Sequence, residues 1–362
     1  MLNISQRIRC IENSLLPAVV DRNEYAPQMT LTARMQHYKT PGVSIAVIDN
    51  GEIEWTQGYG VYEQDSNIAI TNTTLFQAAS ISKPVTAMAM LSLAQEGRVN
   101  LDEDVNNYLK SWKIPENEHT TYNKVTLRGL LSHTAGVTVH GFQGYLTTGS
   151  IPTLLQVLDG IEPANSNPIR VDLKPGTQCR YSGGGYTIIQ QLLIDLVDRP
   201  FPVIIEELVF NKIGMENSTF EQPLAEKLVA FAATAHYEGQ KLEGKWHNYP
   251  ELAAAGLWTT PFDLALFIIE LQNALSGSSN KVLSTEMANL MIIPQMYPYG
   301  LGLMLNDPEK PTRFGHGGSN QGFMSKLVSY IHTGQGAVVM TNGNDGGYYL
   351  AEEIIRAIAK EL

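Results

Sequence analysis

Strand-like runs stand near both ends of this chain and helical runs lie between them, which limits how the chain can fold. Residues 43–48 are rich in β-branched side chains, and residues 52–61 are typical of a returning strand after an Asn-Gly pair at 50–51. Asn and Gly both tolerate positive φ, so a tight hairpin is favoured there. Residues 326–331 and 337–341 repeat the pattern far along the sequence. One sheet built from both chain ends is therefore the simplest architecture.

The middle of the chain has the apolar periodicity of helices. The clearest helical runs are 85–95, 186–197 and 262–274. The last of them has a strong start signal, because Thr260 can cap it, Pro261 suits the first helical position and Asp263 follows three residues after the cap. A final helix has one apolar face, formed by Leu350, Ile354, Ile355 and Ile358.

These patterns predict an α+β fold in the form of an α/β sandwich. We expect an antiparallel sheet flanked by terminal helices to form one domain from residues 1–75 together with 295–362. Residues 76–294 are expected to form an inserted, mainly helical domain. The length of 362 residues agrees with about two domains.

Composition and charge restrict the classes of function open to this chain. The chain has 25 Lys and Arg against 36 Asp and Glu, a net charge of −11, which disfavours nucleic acid as a partner because cationic contacts supply that affinity. Hydrophobic residues make up 43% and charged residues 17%, as in a chain that folds around a core. No tract approaches the length of a membrane span.

The N-terminus and the cysteines bear on the compartment. The first residues lead into a stretch interrupted by Arg9 and Glu12, so the apolar segment of a secretory signal is missing. The chain as given is expected to be cytoplasmic, or periplasmic or extracellular if a leader was removed. Cys10 and Cys179 are expected to be two free thiols. No Cys or His cluster has zinc-ligand spacing, so no metal site is expected.

A serine and a lysine three residues apart are the first candidate catalytic pair. Ser80 and Lys83 precede the run 84–91, whose apolar residues nearly encircle the helix axis, as in a buried helix. Side chains at this spacing share a face, and a lysine in a dry environment has a lowered pKa and can activate a serine. The alternative is an ordinary helix cap with an exposed lysine. A second match to the pattern, residues 278–281, lies in a polar loop.

Two glycine-rich segments add further candidates. Tyr181 precedes Ser182 and three glycines, and a buried tyrosine beside a lysine ammonium is stabilised as a phenolate that could accept a proton. In residues 313–322, glycines would let a substrate lie against a strand edge, and His316 would project a donor. A core tyrosine in a turn and a satisfied histidine in a loop are the alternatives.

Taken in order, these three segments resemble the three catalytic motifs, called boxes, of the serine beta-lactamase and penicillin-binding-protein superfamily. The resemblance is to the branch of class C beta-lactamases, D,D-carboxypeptidases and related esterases, and extends from about Gly42 to the last helix. Three further stretches support it, 125–136, 214–220 and 256–260. It implies a beta-lactamase/transpeptidase-like fold with the active site between the sheet domain and the helical domain.

The resemblance also implies roles for individual residues. Ser80 matches the acylated nucleophile, Lys83 its partner, and Tyr181 a general base toward Ser80 and an acid toward the leaving group. His316 opens the third box in its H-x-G form. The backbone N–H groups of Ser80 and Ser319 would form the oxyanion hole.

Glycines in the second and third boxes are the expected substrate-binding positions, namely Gly183, Gly317 and Gly318. The chain departs from the family pattern twice. Gly183 stands where asparagine is usual, and His316, a weaker and pH-dependent cation, stands where good beta-lactamases have lysine. Both changes argue against efficient antibiotic hydrolysis.

Other residues near these boxes are given no chemistry. His133 precedes a glycine-containing turn and is expected to pack structurally. Several loop aromatics could line the site or pack elsewhere, namely Phe142, Tyr145, Tyr297 and Tyr299.

The sequence thus predicts a serine hydrolase that forms an acyl-enzyme on small amides or esters, with D-amino-acid peptides as the first candidate substrates. A carboxylesterase of the same fold, or a weak beta-lactamase, is the alternative, and a non-catalytic binding scaffold is the least favoured. No metal or organic cofactor is expected. The partner is a small-molecule or peptide substrate, while the physiological substrate and oligomeric state stay open.

A double-mutant cycle tests whether Lys83 and Tyr181 act as one unit. Lys83→Ala and Tyr181→Phe should each lose most turnover. The double variant should lose little more than the worse single one, because residues that move one proton together are non-additive. Steady-state kinetics on one substrate checks this, and full additivity of the two losses would contradict a shared proton transfer.

Overall fold

The sheet of this protein joins the two ends of the chain in the computed structural model, which describes residues 3–17 and 27–362. Met1, Leu2 and residues 18–26 lie outside the described residues. In chain order the strands are β1 (Gly42–Asp49), β2 (Glu52–Gly60), β3 (Phe76–Gln77), β4 (Tyr145–Leu146), β5 (His236–Tyr237), β6 (Gln240–Lys241), β7 (His247–Asn248), β8 (Trp258–Thr259), β9 (Met304–Leu305), β10 (Arg313–Asn320), β11 (Phe323–Tyr330) and β12 (Gly336–Thr341).

The main sheet has the strand order β2-β1-β12-β11-β10-β9, and every neighbouring pair is antiparallel. The first strand therefore pairs with the last, from Val43 opposite Thr341 to Ile48 opposite Gly336. Two-stranded ribbons pair β3 with β8, β4 with β7, and β5 with β6. The predicted fold class, an antiparallel sheet built from both chain ends, is confirmed.

Helices cover the sheet and fill the middle of the chain. They are α1 (Ile4–Asn13), α2 (Leu31–His37), α3 (Ser82–Gln95), α4 (Leu127–Leu131), α5 (Leu154–Asp159), α6 (Gly183–Val197), α7 (Phe201–Ile205), α8 (Asn211–Ile213), α9 (Glu226–Val229), α10 (Leu252–Ala255), α11 (Pro261–Ser276), α12 (Thr285–Met291) and α13 (Asp345–Glu361). Short 3₁₀ turns occupy Ala79–Ile81 and Val105–Asn107, and a π-helical turn occupies Glu206–Phe210. None of the described helices combines the length and the apolar character needed to cross a membrane.

The hairpin turn and the helix cap predicted from the sequence are present in the structure. Asn50 and Gly51 both have positive φ, 52° and 76°, in the turn between β1 and β2. Thr260 caps α11, since its hydroxyl oxygen accepts the N–H of Asp263 at 3.1 Å. Strand β11 begins three residues earlier than the sequence suggested, because Gly322 turns the chain with φ 73° directly after β10.

Both faces of the sheet are covered. Helices α1 and α13 pack on one face, where the four apolar residues predicted for the last helix are buried, Leu350, Ile354, Ile355 and Ile358. Arg34 of α2 makes two hydrogen bonds to the Glu353 carboxylate of α13, at 2.7 and 2.6 Å, a strong paired geometry. Helix α11 packs on the other face against β1 and β12.

One hydrophobic cluster connects the sheet to the helices. It contains residues of α3, α6 and α11 together with residues of β1, β10 and β12. Helix α3 lies at its centre, with every residue from Ser82 to Leu93 buried. The two predicted units thus share a core, and the boundaries 1–75 with 295–362 and 76–294 stay a prediction. Strand β10 contacts the turn Ala79–Ile81 before α3, and this contact places the site.

Candidate active site

A cleft of about 480 Å³ opens where the start of α3 faces β10. The structure brings all the sequence-predicted site residues to it, namely Ser80, Lys83, Tyr181, Gly183, His316, Gly317, Gly318 and Ser319. Its other lining residues are His140, Gly141, Phe142, Ala254, Ala255, Tyr299, Met304, Asn320 and Tyr348. Of the loop aromatics considered from the sequence, Phe142 and Tyr299 are in this lining, while Tyr145 and Tyr297 are not.

The turn that carries Ser80 is strained and firmly held. Ala79 has φ 50°, in the left-handed region that residues with a Cβ rarely adopt. The hydroxyl of Ser82 donates to the carbonyl of Ala79 at 2.6 Å, and the hydroxyl of Ser325 in β11 donates to the carbonyl of Ala78 at 2.8 Å. Hydrogen bonds from α3 and from the sheet therefore fix the backbone on which Ser80 stands.

Lys83 is buried beside this serine. Its Nζ lies 3.0 Å from the Ser80 Oγ and donates to the carbonyl of Ala254 at 2.7 Å, while the residue is only 2% exposed. Burial penalises the ammonium form and lowers the pKa of Lys83 to about 7. Near neutral pH, a large share of the molecules therefore holds a neutral amine that can accept the proton of Ser80. The Ala254 carbonyl is a functional group that sequence reasoning missed, because only folding brings it to Lys83.

Tyr181 lies near both Ser80 and Lys83. The Lys83 Nζ is 4.9 Å from the centre of the Tyr181 ring. Burial raises the pKa of Tyr181 well above its usual value, and the hydrogen bond with the Ser80 hydroxyl opposes this only in part. Tyr181 is therefore a neutral phenol at pH 7, and not the phenolate considered from the sequence. Lys83 is the member of the pair that changes charge near neutrality.

His316 is a neutral imidazole in β10. Its Nδ1 lies 2.6 Å from the Gly317 carbonyl, and because a carbonyl only accepts, Nδ1 carries the hydrogen. The Nε2 atom is buried and has no partner among the described residues, so it is an acceptor rather than the donor expected from the sequence. Burial and the nearby Lys83 lower the pKa of His316 to about 3. The side chain therefore carries no charge for a substrate carboxylate at neutral pH.

The glycines of the third box allow β10 to lie against the nucleophile turn. A Cβ on Gly318 would collide with the Ala78 carbonyl and the Ser325 hydroxyl. Only glycine fits this position without a shift of the turn. Ser80 and Ser319, whose N–H groups are the expected oxyanion donors, both line the cleft.

His133 holds the backbone on both sides of Tyr181. Its Nδ1 accepts the N–H of Ser182 at 3.1 Å, and its carbonyl accepts the N–H of Arg180 at 2.8 Å. Its ring centre lies 4.4 Å from that of Tyr181. His133 itself has φ 61°, a conformation uncommon for a histidine. Burial lowers the pKa of His133 well below its usual value, so the ring is neutral.

This arrangement of a serine, a buried lysine and a tyrosine on a sheet-and-helix fold is that of a serine hydrolase with a beta-lactamase fold. The model of the Beta-lactamase family matches residues 28–360, so the chain belongs to that family. The resemblance seen in the sequence is thereby confirmed.

Known proteins are similar to this chain in sequence or in fold. Protein flp of Staphylococcus aureus strain MW2 is 26% identical over 326 residues, which cover 86% of this chain but 61% of that protein. The chain thus spans less than two thirds of the length of this relative. Among solved structures, D-alanine carboxypeptidase AmpC from Burkholderia cenocepacia has a TM-score of 0.74 at 19% identity, covering 99% of this chain and all of that one. EstCE1, a hydrolase with promiscuous acyltransferase activity, has a TM-score of 0.72 at 18% identity, covering 91% and 98%.

The pH dependence of acylation tests the state of Lys83. With an uncharged ester, kcat/KM should rise about tenfold per pH unit below pH 7 and level off above it, because the amine must be neutral to accept a proton. The inflection should lie near the lowered Lys83 pKa of about 7. Tyr181 and His316 should add no inflection between about pH 5 and 9, because neither changes charge there. An inflection at the ordinary lysine value of about 10.4 would contradict this account.

A second prediction concerns the position of Tyr181. His133→Phe keeps a ring beside Tyr181 but leaves the Ser182 N–H without its acceptor, so the acylation rate should fall about 10- to 100-fold. His133→Asn, which tolerates positive φ and retains an acceptor, should recover part of the loss. Rapid-mixing kinetics with a chromogenic ester measures the rate.

The matched control is His236→Phe. His236 is also fully buried and accepts a backbone N–H, that of Gln64 at 3.0 Å, but does not line the cleft. Its loss should lower stability without changing acylation per folded molecule. An unchanged acylation rate in His133→Phe would show that this histidine only packs.

Proposed function

We propose that this protein hydrolyses small esters and amides through an acyl group carried on Ser80. The observation that carries the proposal is the 3.0 Å contact between the Ser80 Oγ and the buried Nζ of Lys83. A serine hydroxyl becomes a useful nucleophile when an adjacent base takes its proton. The neutral amine of Lys83 is such a base at pH 7, and the phenol of Tyr181 lies beside both groups.

In the first half of the reaction, Ser80 attacks the substrate carbonyl while its proton passes to Lys83, directly or through the Tyr181 hydroxyl. The N–H groups of Ser80 and Ser319 hold the oxyanion, and each such donor typically stabilises a transition state by about 3 kcal/mol. Tyr181 then donates a proton to the leaving group and regains one from the Lys83 ammonium. Protons and charges therefore balance within the three residues.

In the second half, water releases the acyl group. The same pair takes a proton from water, the hydroxide attacks the ester on Ser80, and the serine leaves with the proton returned to it. His316 places a neutral acceptor at the edge of the same cleft. Because the Nε2 atom is buried, His316 contributes an uncharged ring to the lining of the cleft and no positive charge for the substrate.

D-amino-acid peptides are the first substrate candidates, from the family relationship. The lining of the cleft matches some of these peptides better than others. Among its described lining residues there is no arginine, and Lys83 and the neutral His316 offer no permanent cation. A peptide with a blocked C-terminus, as an amide or ester, is thus better matched than one with a free terminal carboxylate.

A carboxylesterase is the second candidate, and the apolar wall of the cleft favours it. Phe142, Met304 and Tyr348 are among the residues that line the cleft. Such surfaces take up an apolar acyl chain or leaving group. Weak beta-lactam turnover is consistent with the same acylation machinery. A non-catalytic scaffold is disfavoured because a disused site has no need of a lysine kept dry next to a serine.

Intact-protein mass spectrometry tests the proposal. The wild type should gain one adduct from a fluorophosphonate and one from penicillin, and Ser80→Ala should gain neither. Ser278→Ala is the matched control, because Ser278 begins the other serine–lysine pattern and lies in the loop after α11; this variant should still be modified. Ester turnover by Ser80→Ala should fall about 10⁴-fold or more. Wild type that forms no adduct with either reagent would favour the scaffold.

A further inference from the structure

The start of α6 lacks a side chain where it lines the cleft. Gly183 lines the cleft, and a Cβ placed on it would lie 2.9 Å from Cε2 of Phe142 and 3.2 Å from the His140 carbonyl oxygen. Carbon contacts of this length are well inside normal van der Waals separation. The ring of Phe142 therefore takes the space that a side chain at position 183 would need.

The segment just before Phe142, residues 138–140, contacts the start of α6. The N–H of Gly183 donates to the His140 carbonyl and that of Gly184 to the Val139 carbonyl, both at 3.0 Å. A Cβ on Gly184 would lie 2.6 Å from the Thr138 carbonyl oxygen. Val139 has φ 62°, which is strained for a β-branched residue. Hydrogen bonds and close backbone contact thus hold residues 138–140 over the glycines, two residues before Phe142.

Two other residues that line the cleft have apolar surface. Met304 and Tyr348 line the cleft and are 39% and 49% exposed. The Ala254 carbonyl, another lining group, is already engaged by Lys83. An acyl group attached to Ser80 would therefore enter a cleft with aromatic and thioether surface, in which the Phe142 ring takes the place of a side chain at position 183.

We propose that Phe142 determines the acyl specificity of this cleft, selecting esters with an apolar acyl chain over those with an amide next to the reacting carbonyl. The proposal rests on the proposed function and names its substrate class. An amide group pressed against the ring would lose water without gaining a partner, whereas a methylene chain gains contact with it. The ring thus rejects one acyl group and binds the other.

Two esters with the same leaving group test this directly. The p-nitrophenyl esters of pentanoic acid and N-acetylglycine have acyl chains of equal length, and only the second contains an amide. For wild type, kcat/KM should be at least about tenfold higher for the pentanoate. Since the leaving group is shared, and once each kcat/KM is divided by the rate of alkaline hydrolysis of that ester, the difference reports on the acyl side of the cleft.

Substitutions then assign the selectivity to Phe142. Phe142→Ala should lower kcat/KM for the pentanoate about tenfold and change that for the N-acetylglycinate much less. Gly183→Asn alone should impair both esters, because the new side chain meets the Phe142 ring. The combined Phe142→Ala, Gly183→Asn variant has room for the amide and should shift the ratio toward the N-acetylglycinate at least about tenfold relative to wild type.

Controls separate selectivity from folding. Phe231→Ala removes a half-exposed phenylalanine outside the cleft and should leave the ratio unchanged. Rates are normalised to the fraction that reacts with a fluorophosphonate. If Phe142→Ala does not fold, Phe142→Leu, which keeps apolar bulk without the ring, should still narrow the preference.

The outcomes distinguish the two proposals. Adduct formation on Ser80 together with a wild-type preference for the N-acetylglycinate, or with equal losses for both esters in Phe142→Ala, overturns the specificity proposal and leaves the proposed function standing. Absence of both adduct and turnover in wild type overturns the proposed function and the specificity proposal with it.

Discussion

The site depends on keeping the amine of Lys83 out of water. An ammonium group is costly to bury without a counter-charge, and here the described neighbours offer a serine hydroxyl, a backbone carbonyl and aromatic faces. The protein meets this cost through its fold: α3 lies within the main hydrophobic cluster, and Lys83 is only 2% exposed although it lines the cleft. Because burial penalises the charged form, Lys83 can act as a base near pH 7.

The sheet helps to hold Ser80 in place beside the amine of Lys83. Because β1 pairs with β12, residues from both chain ends form the rigid support that carries β10 to the start of α3. The contact is close enough that Gly318 has no room for a side chain, and the Ser325 hydroxyl reaches across to the Ala78 carbonyl. The strained turn at Ala79 is held from both sides, so Ser80 stands in one place relative to Lys83. Preorganisation of this kind lowers the reorganisation needed in the reaction.

Much of this could be predicted from the sequence because the signals are local. The Asn50-Gly51 turn, the Thr260 cap and the apolar face of α13 each depend on residues a few positions apart. What could not be predicted depends on contacts between distant segments. Strand β10, rich in glycine, is a strand because β11 pairs with it along its whole length. A backbone carbonyl decides which nitrogen of His316 carries the hydrogen, and burial keeps Tyr181 protonated. The space at Gly183 is taken by the ring of Phe142, which lies 41 positions earlier in the chain.

The most direct test of this account is the pKa of Lys83 itself. Enriching the lysines with ¹³C at Cε and following their NMR signals with pH gives each titration, and the signal missing from Lys83→Arg identifies this residue. If burial keeps the amine largely neutral, this one lysine titrates near 7. A Lys83 signal that titrates near the ordinary value of about 10.4 would contradict it, because the amine would then be charged whenever the enzyme acts near neutral pH.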